Sequence, residues 1–140
     1  MSLKTIEIIY EDENVLVLNK PAGLVVHSDG KTKEETLSDW VMENYPEMEN
    51  VGEPLDTGKE FIKRPGIVHR LDRETSGCII LAKNQDTFSF LKEQFQERKV
   101  KKVYNAVVWG NIKTDEGVVD APIGRSGKDF RQWSATRGAR

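Results

Sequence analysis

Residues 64–84, RPGIVHRLDRETSGCIILAKN, set a carboxylate among cations in a loop that leads directly into an apolar run. Pro65 and Gly66 form one turn, Thr75, Ser76 and Gly77 another, and His69, Arg70, Asp72, Arg73 and Glu74 crowd between them. A carboxylate held between Arg70 and Arg73 is expected to stay ionised, because nearby positive charge favours the charged form. Mounted on a rigid apolar strand, it would be a preorganised nucleophile or base. The bland counterpart is a surface turn whose charges cancel, with Asp72 capping it through its side chain. A hydrolase using His69 and Asp72 as acid and base is a third reading. Their spacing brings them to one face only in a helix, and RPGIV in front argues against one.

The surrounding elements must position this loop. IEIIY (6–10) and VLVLNK (15–20) are β-rich runs joined by the acidic turn EDEN, which predicts a hairpin. KPAG (20–23) breaks the second run, and LVVH (24–27) is expected to resume as strand or edge. Thr36 reads as the N-cap of a helix with Asp39 at N3, Leu37, Trp40, Val41 and Tyr45 on one face, and Pro46 ending it. Residues 46–66, with three prolines and three glycines, predict a long loop.

CIILAK (78–83), apolar on both faces, is the central-strand candidate. Asn84 or Asp86 caps a second helix whose Phe88, Leu91 and Phe95 form a core stripe. KKVYNAVVWG (101–110) reads as a strand, GVVDAPIGR (117–125) as a short strand and a turn, and the tail is basic. The sum is an α+β fold, a mixed and mostly antiparallel sheet with flanking helices.

The 140 residues suffice for one domain. No apolar run has the roughly 20 residues of a membrane span, and the start lacks a signal-peptide core. One cysteine, Cys78, excludes an internal disulfide and fits a reducing cytoplasm, and two separated histidines argue against a zinc site. Net charge is only −2, but residues 1–60 hold 5 Lys and Arg against 14 Asp and Glu, while residues 61–140 hold 16 against 9. The split allows a basic face on a weakly acidic chain.

HRLDRETSG (69–77) resembles the catalytic motif of the large-ribosomal-subunit, or RluA, group of pseudouridine synthases. Two more matches stand in the expected order. IIYEDENVLVLNKPAGLVVH (8–27) is similar to that family's opening strand pair and Lys-Pro-x-Gly turn, and KKVYNAVVWG to its Lys-x-Tyr-x-Ala strand. The resemblance spans essentially the whole chain. It implies that Asp72 is the catalytic aspartate, nucleophile or base, and that Arg70 fills the stack vacated by a flipped base. It further implies that Tyr104 packs on the target uracil, that Lys20 and Pro21 form a structural turn near the site, and that His69 orients the loop. Arg73, Lys101 and Lys102 join Arg70 and His69 as expected RNA contacts; His27 reads as structural. The implied partner is RNA, ribosomal or transfer, with no membrane, no cofactor and no metal.

The implied chemistry suits these residue types. Uracil inside a helix must be extruded, at about a few kcal/mol. An inserted arginine offsets part of that cost by stacking and touching phosphate. An aromatic face against the extruded base contributes ~1–3 kcal/mol. A non-catalytic RNA-binding module built on the basic second half, with Tyr104, Trp109 and Trp133 as stacking surfaces, is the competing reading. It leaves Asp72 unexplained, since a carboxylate repels phosphate.

The family continues into a Thr-Gly-Arg-x-His-Gln-Ile-Arg type motif whose first arginine pairs with the aspartate, and nothing like it occurs in these residues. The sequence therefore reads as the N-terminal portion, residues 1–140, of a truncated catalytic domain. Two expectations follow: little activity alone, and a dimer through exposed strand edges.

Overall fold

A computed structural model describes residues 6–30, 34–126 and 132–135. The chain folds as two compact units, Met1–Lys102 and Val103–Arg140. In the first, β1 (Glu7–Glu11), β2 (Val15–Lys20) and β5 (Gly77–Ala82) make an antiparallel sheet in the order β1-β2-β5. Helices α1 (Leu37–Asn44) and α2 (Gln85–Gln96) flank it, and a two-stranded ribbon of β3 (Leu55–Asp56) and β4 (Phe61–Ile62) lies in the long 46–66 connection. The α+β expectation holds. Among the described residues no helix is long and apolar enough to cross a membrane.

The hairpin forms where predicted. Asp12 closes its turn by accepting from the backbone N–H groups of Asn14 and Val15 at 2.7 and 2.8 Å. Strand alternation in β2 sends Leu16, Leu18 and Lys20 inward, all three fully buried. Leu16 and Leu18 meet Ile79 and Leu81 of β5 together with Leu37, Val41 and Met48 in one hydrophobic core.

CIILAK does not lie in the centre. β2 occupies that place, and β5 is the end strand of the three. Its outer edge is nonetheless covered, because the loop before it takes over the role of a fourth strand. The Ala82 N–H donates to the Gly66 carbonyl at 2.9 Å, and the Ile80 N–H to Nε2 of His69 at 3.1 Å. Only glycine fits this approach: Gly66 has φ +65°, and a Cβ there would stand 2.2 Å from the Ala82 carbonyl oxygen.

LVVH is not a strand either. The Val25 and Val26 carbonyls accept instead from the backbone N–H groups of Leu37 and Ser38, satisfying orphan donors at the start of α1. Thr36 completes that start as N-cap, with the reciprocal Thr36–Asp39 capping box. Thr36→Ala is expected to cost about 1–2 kcal/mol, read as a lower urea midpoint with unchanged slope. Asn84, not Asp86, caps α2, accepting from the Thr87 N–H at 2.9 Å.

In the second unit, residues 103–110 are not a strand, and neither are Lys101 and Lys102 before them. A strand needs a ladder partner, and none pairs with this run among the described residues; Val107 and Trp109 are fully exposed. Of GVVDAPIGR only β6 (Gly124–Arg125) is strand, paired with β7 (Trp133–Ser134). The Arg125 guanidinium lies 4.4 Å over the Trp133 ring, so that tryptophan already has a cationic partner.

Candidate active site

The site is built by joining the KPAG turn to the Asp72 loop. β2 delivers Lys20 into the interior, where an ammonium is tolerated only if all its donors are met. They are: Nζ donates to the carbonyls of Pro21 (2.9 Å), Leu24 (2.8 Å) and Arg73 (3.0 Å). The Arg73 carbonyl also accepts the Gly23 N–H at 2.8 Å. Burial pulls the Lys20 pKa down, and the negative charges of Glu74 and Asp72 oppose that fall. The three-carbonyl cradle matches an ammonium, which has three donors, and not a neutral amine, which has fewer. Lys20 therefore fastens the loop after Asp72 and supplies the fixed positive charge near its carboxylate.

Leu71 is buried and pins the loop from within, while Asp72 is exposed on its outer side. The Thr75 N–H closes the following turn on the Asp72 carbonyl at 3.1 Å. The carboxylate is thus a solvent-facing group on an anchored backbone. One expectation needs correcting. Arg73 does not flank Asp72; its guanidinium pairs with Glu34 at 2.6 Å, drawn off by a better-placed carboxylate on the surface. Arg70 is exposed, and its side chain makes no hydrogen bond or ion pair among the described residues.

His69 orients the loop by accepting, not donating. Its ring is half-buried, stacks on Phe95 at 4.4 Å between centroids, and receives the Ile80 N–H on Nε2. Burial, aided by the charge of Lys102, lowers its pKa from 6.5 to about 4. With Nε2 committed to a strand amide, the ring is poorly suited to the acid–base role of a hydrolase. The folded state prefers the neutral ring, so the unfolded chain binds more protons between pH 6.5 and 4. Stability is fully present above the unfolded value and falls as pH drops through this window. Between pH 7 and pH 5 the loss is expected to be about 2 kcal/mol in urea unfolding. His27, also lowered by burial, adds in the same direction. His69→Gln should flatten the dependence.

Lys102 is exposed, with Nζ 5.4 Å from the Phe95 ring centre, and Lys101 is exposed beside it. Tyr104 belongs to the second unit and is 58% exposed. A cleft of about 260 Å³ beside the HRLD segment is lined by His27, Glu53, Arg64, His69, Arg70 and Lys92 together with apolar side chains. Asp72 is not among its lining residues. The sequence reading missed His27, Arg64 and Lys92. Arg64 stands at the head of the motif segment and could have been suspected; nothing local marks the other two.

Residues 14–140 match the family model described as RNA pseudouridylate synthase. The chain belongs to that family. It is 41% identical over 128 residues to an uncharacterised RNA pseudouridine synthase of Aquifex aeolicus, covering 91% of the chain and 38% of the relative. It is 43% identical over 122 residues to ribosomal large subunit pseudouridine synthase D of Pseudomonas aeruginosa, covering 87% and 34%. Such relatives support the RluA-type resemblance. The chain thus spans less than half the length of these curated relatives. The human RNA pseudouridylate synthase domain containing 1 shares its fold, with a TM-score of 0.73 at 23% identity, over 99% of this chain and 47% of that one.

Proposed function

We propose that these residues form the Asp72-bearing part of an RNA pseudouridine synthase that isomerises uridine in structured RNA, with large-subunit ribosomal RNA as the leading substrate. The observation that carries this is an exposed carboxylate on a loop fastened from below by Lys20 and from beside by His69, in a chain of this family. A carboxylate that must meet an extruded nucleotide has to be both accessible and immobile.

In this reading the uridine is flipped out and Arg70, whose guanidinium is uncommitted, enters the gap. Asp72 acts on the nucleotide as nucleophile or base while the bond from C1′ to N1 breaks. The uracil turns and C5 bonds to C1′; N1 gains a proton and the hydrogen at C5 leaves to water. Tyr104 packs on the uracil, and Lys101 and Lys102 contact phosphate. Atoms balance without a redox partner. The 140 residues alone turn over little, since the arginine that the family pairs with its aspartate lies in a motif they do not contain.

Mapping pseudouridine in cellular RNA with and without the gene tests the reading. Loss of a modification in large-subunit ribosomal RNA is expected, and an unchanged map would contradict it. A cytoplasmic location and self-association through the edge of β1, where Ile8, Ile9 and Tyr10 are about half exposed, belong to the same proposal. Sedimentation that shows a monomer at high concentration would remove the second.

A further inference from the structure

The cleft beside the HRLD segment collects basic side chains from separate stretches of chain. Arg64 precedes the motif, Arg70 lies within it, Lys92 comes from α2, and His27 follows the KPAG turn. Of the permanent charges only that of Lys92 is cancelled locally. Among the described residues the one carboxylate lining the cleft is Glu53, held by Lys92 through both oxygens at 2.6 and 2.7 Å. Arg64 gives Nε and Nη2 to the Glu53 carbonyl at 3.3 Å, which fixes its guanidinium plane without neutralising it. Arg70 has no partner among the described residues. Arg64 therefore brings an uncompensated guanidinium to a partly enclosed space that Arg70 also lines.

We propose that this cleft binds a phosphodiester of the RNA strand beside the target nucleotide. The inference rests on the pseudouridine synthase reading and adds to it a second anchoring point outside the Asp72 site. Arg70 and Asp72 are two residues apart, at most about 7 Å along the backbone, so a phosphate held here belongs to a nucleotide close to the one being modified. Arginine is the side chain suited to such a group, since its planar fork matches phosphate oxygens. The volume suits a phosphodiester with its sugar rather than a larger ligand.

The cleft carries its own reporter. The chain has two histidines, and both line it. His27 donates from Nδ1 to the Ser28 carbonyl at 3.0 Å, leaving Nε2 to take up a proton. Burial lowers its pKa; the Ser28 contact opposes this, Arg64 and Arg70 lower it further, and Asp29 acts upward. A bound phosphate introduces negative charge and must raise it.

The test follows the two histidine ring signals of the 140-residue chain by NMR across pH. One arm adds a short oligoadenylate, which contains no uridine, and another adds inorganic phosphate. The expected result is a rise of about 0.5 unit or more in the His27 midpoint with oligoadenylate. Arg64→Gln should abolish that rise, and so should Lys92→Gln, which frees the Glu53 carboxylate to repel the anion. No shift at saturating oligoadenylate, or a shift that survives in both variants, overturns the proposal. A rise with inorganic phosphate alone overturns the assignment to RNA. Because the probe cannot be isomerised, these outcomes are independent of whether pseudouridine forms, which the mapping experiment decides.

Discussion

Asp72→Asn, made in a full-length protein carrying these residues, is expected to lower uridine conversion on the order of 10⁴-fold, about 5.5 kcal/mol of barrier. RNA affinity should stay within about 3-fold. The amide keeps the size and shape of the carboxylate but can neither attack nor accept a proton usefully. Asp72 is exposed, and its backbone is held by groups the substitution leaves in place. Substitutions at such positions change stability by about 0.5 kcal/mol or less, so lost turnover cannot be blamed on unfolding. Equal loss of binding and conversion would favour the non-catalytic RNA-binding reading. Unchanged conversion would remove Asp72 from the chemistry.

Lys20→Met is expected to destabilise the fold by about 4 kcal/mol. Methionine fills a similar volume but donates nothing, so the carbonyls of Pro21, Leu24 and Arg73 each lose a charged donor inside the protein. A hydrogen bond to a charged group contributes about 1.5–3 kcal/mol, and the Arg73 carbonyl keeps its Gly23 partner, which limits the total. The effect should appear as a lower urea midpoint. Where the variant still folds, conversion should fall more than RNA affinity, because the loop carrying Asp72 is released from the KPAG turn. A variant within about 1 kcal/mol of the parent would show that the cradle contributes little.

What the sequence revealed depended on whether a signal was local. The EDEN hairpin and the Thr36–Asp39 capping box are short-range patterns and formed where they were expected. LVVH has the composition of a strand, yet its Val25 and Val26 carbonyls are taken by the start of α1, twelve residues further on in each case. CIILAK has the composition of a central strand, yet a loop, and not another strand, covers its outer edge. Residues 101–110 carry strand composition without a ladder partner among the described residues.

The site shows the same division. Asp72, Arg70, His69 and the KPAG turn were legible as a motif. The role of Lys20 was readable from alternation, since it follows Leu16 and Leu18 on the inward face of β2; reading it only as part of a turn hid this. Adjacency suggested that Arg73 would flank Asp72, but Glu34, distant in sequence, claims its guanidinium. His27 and Lys92 reach the cleft only through tertiary folding.

In the proposed reaction the carboxylate at position 72 serves to rejoin uracil to ribose through C5. That step expels the hydrogen at C5, so RNA labelled with tritium at C5 of uridine reports it directly. A full-length protein carrying these residues is expected to release tritium to water while the RNA strand stays intact, and Asp72→Asn to abolish release with the RNA still bound. Strand cleavage, or bound RNA that retains its label with Asp72 in place, would contradict it.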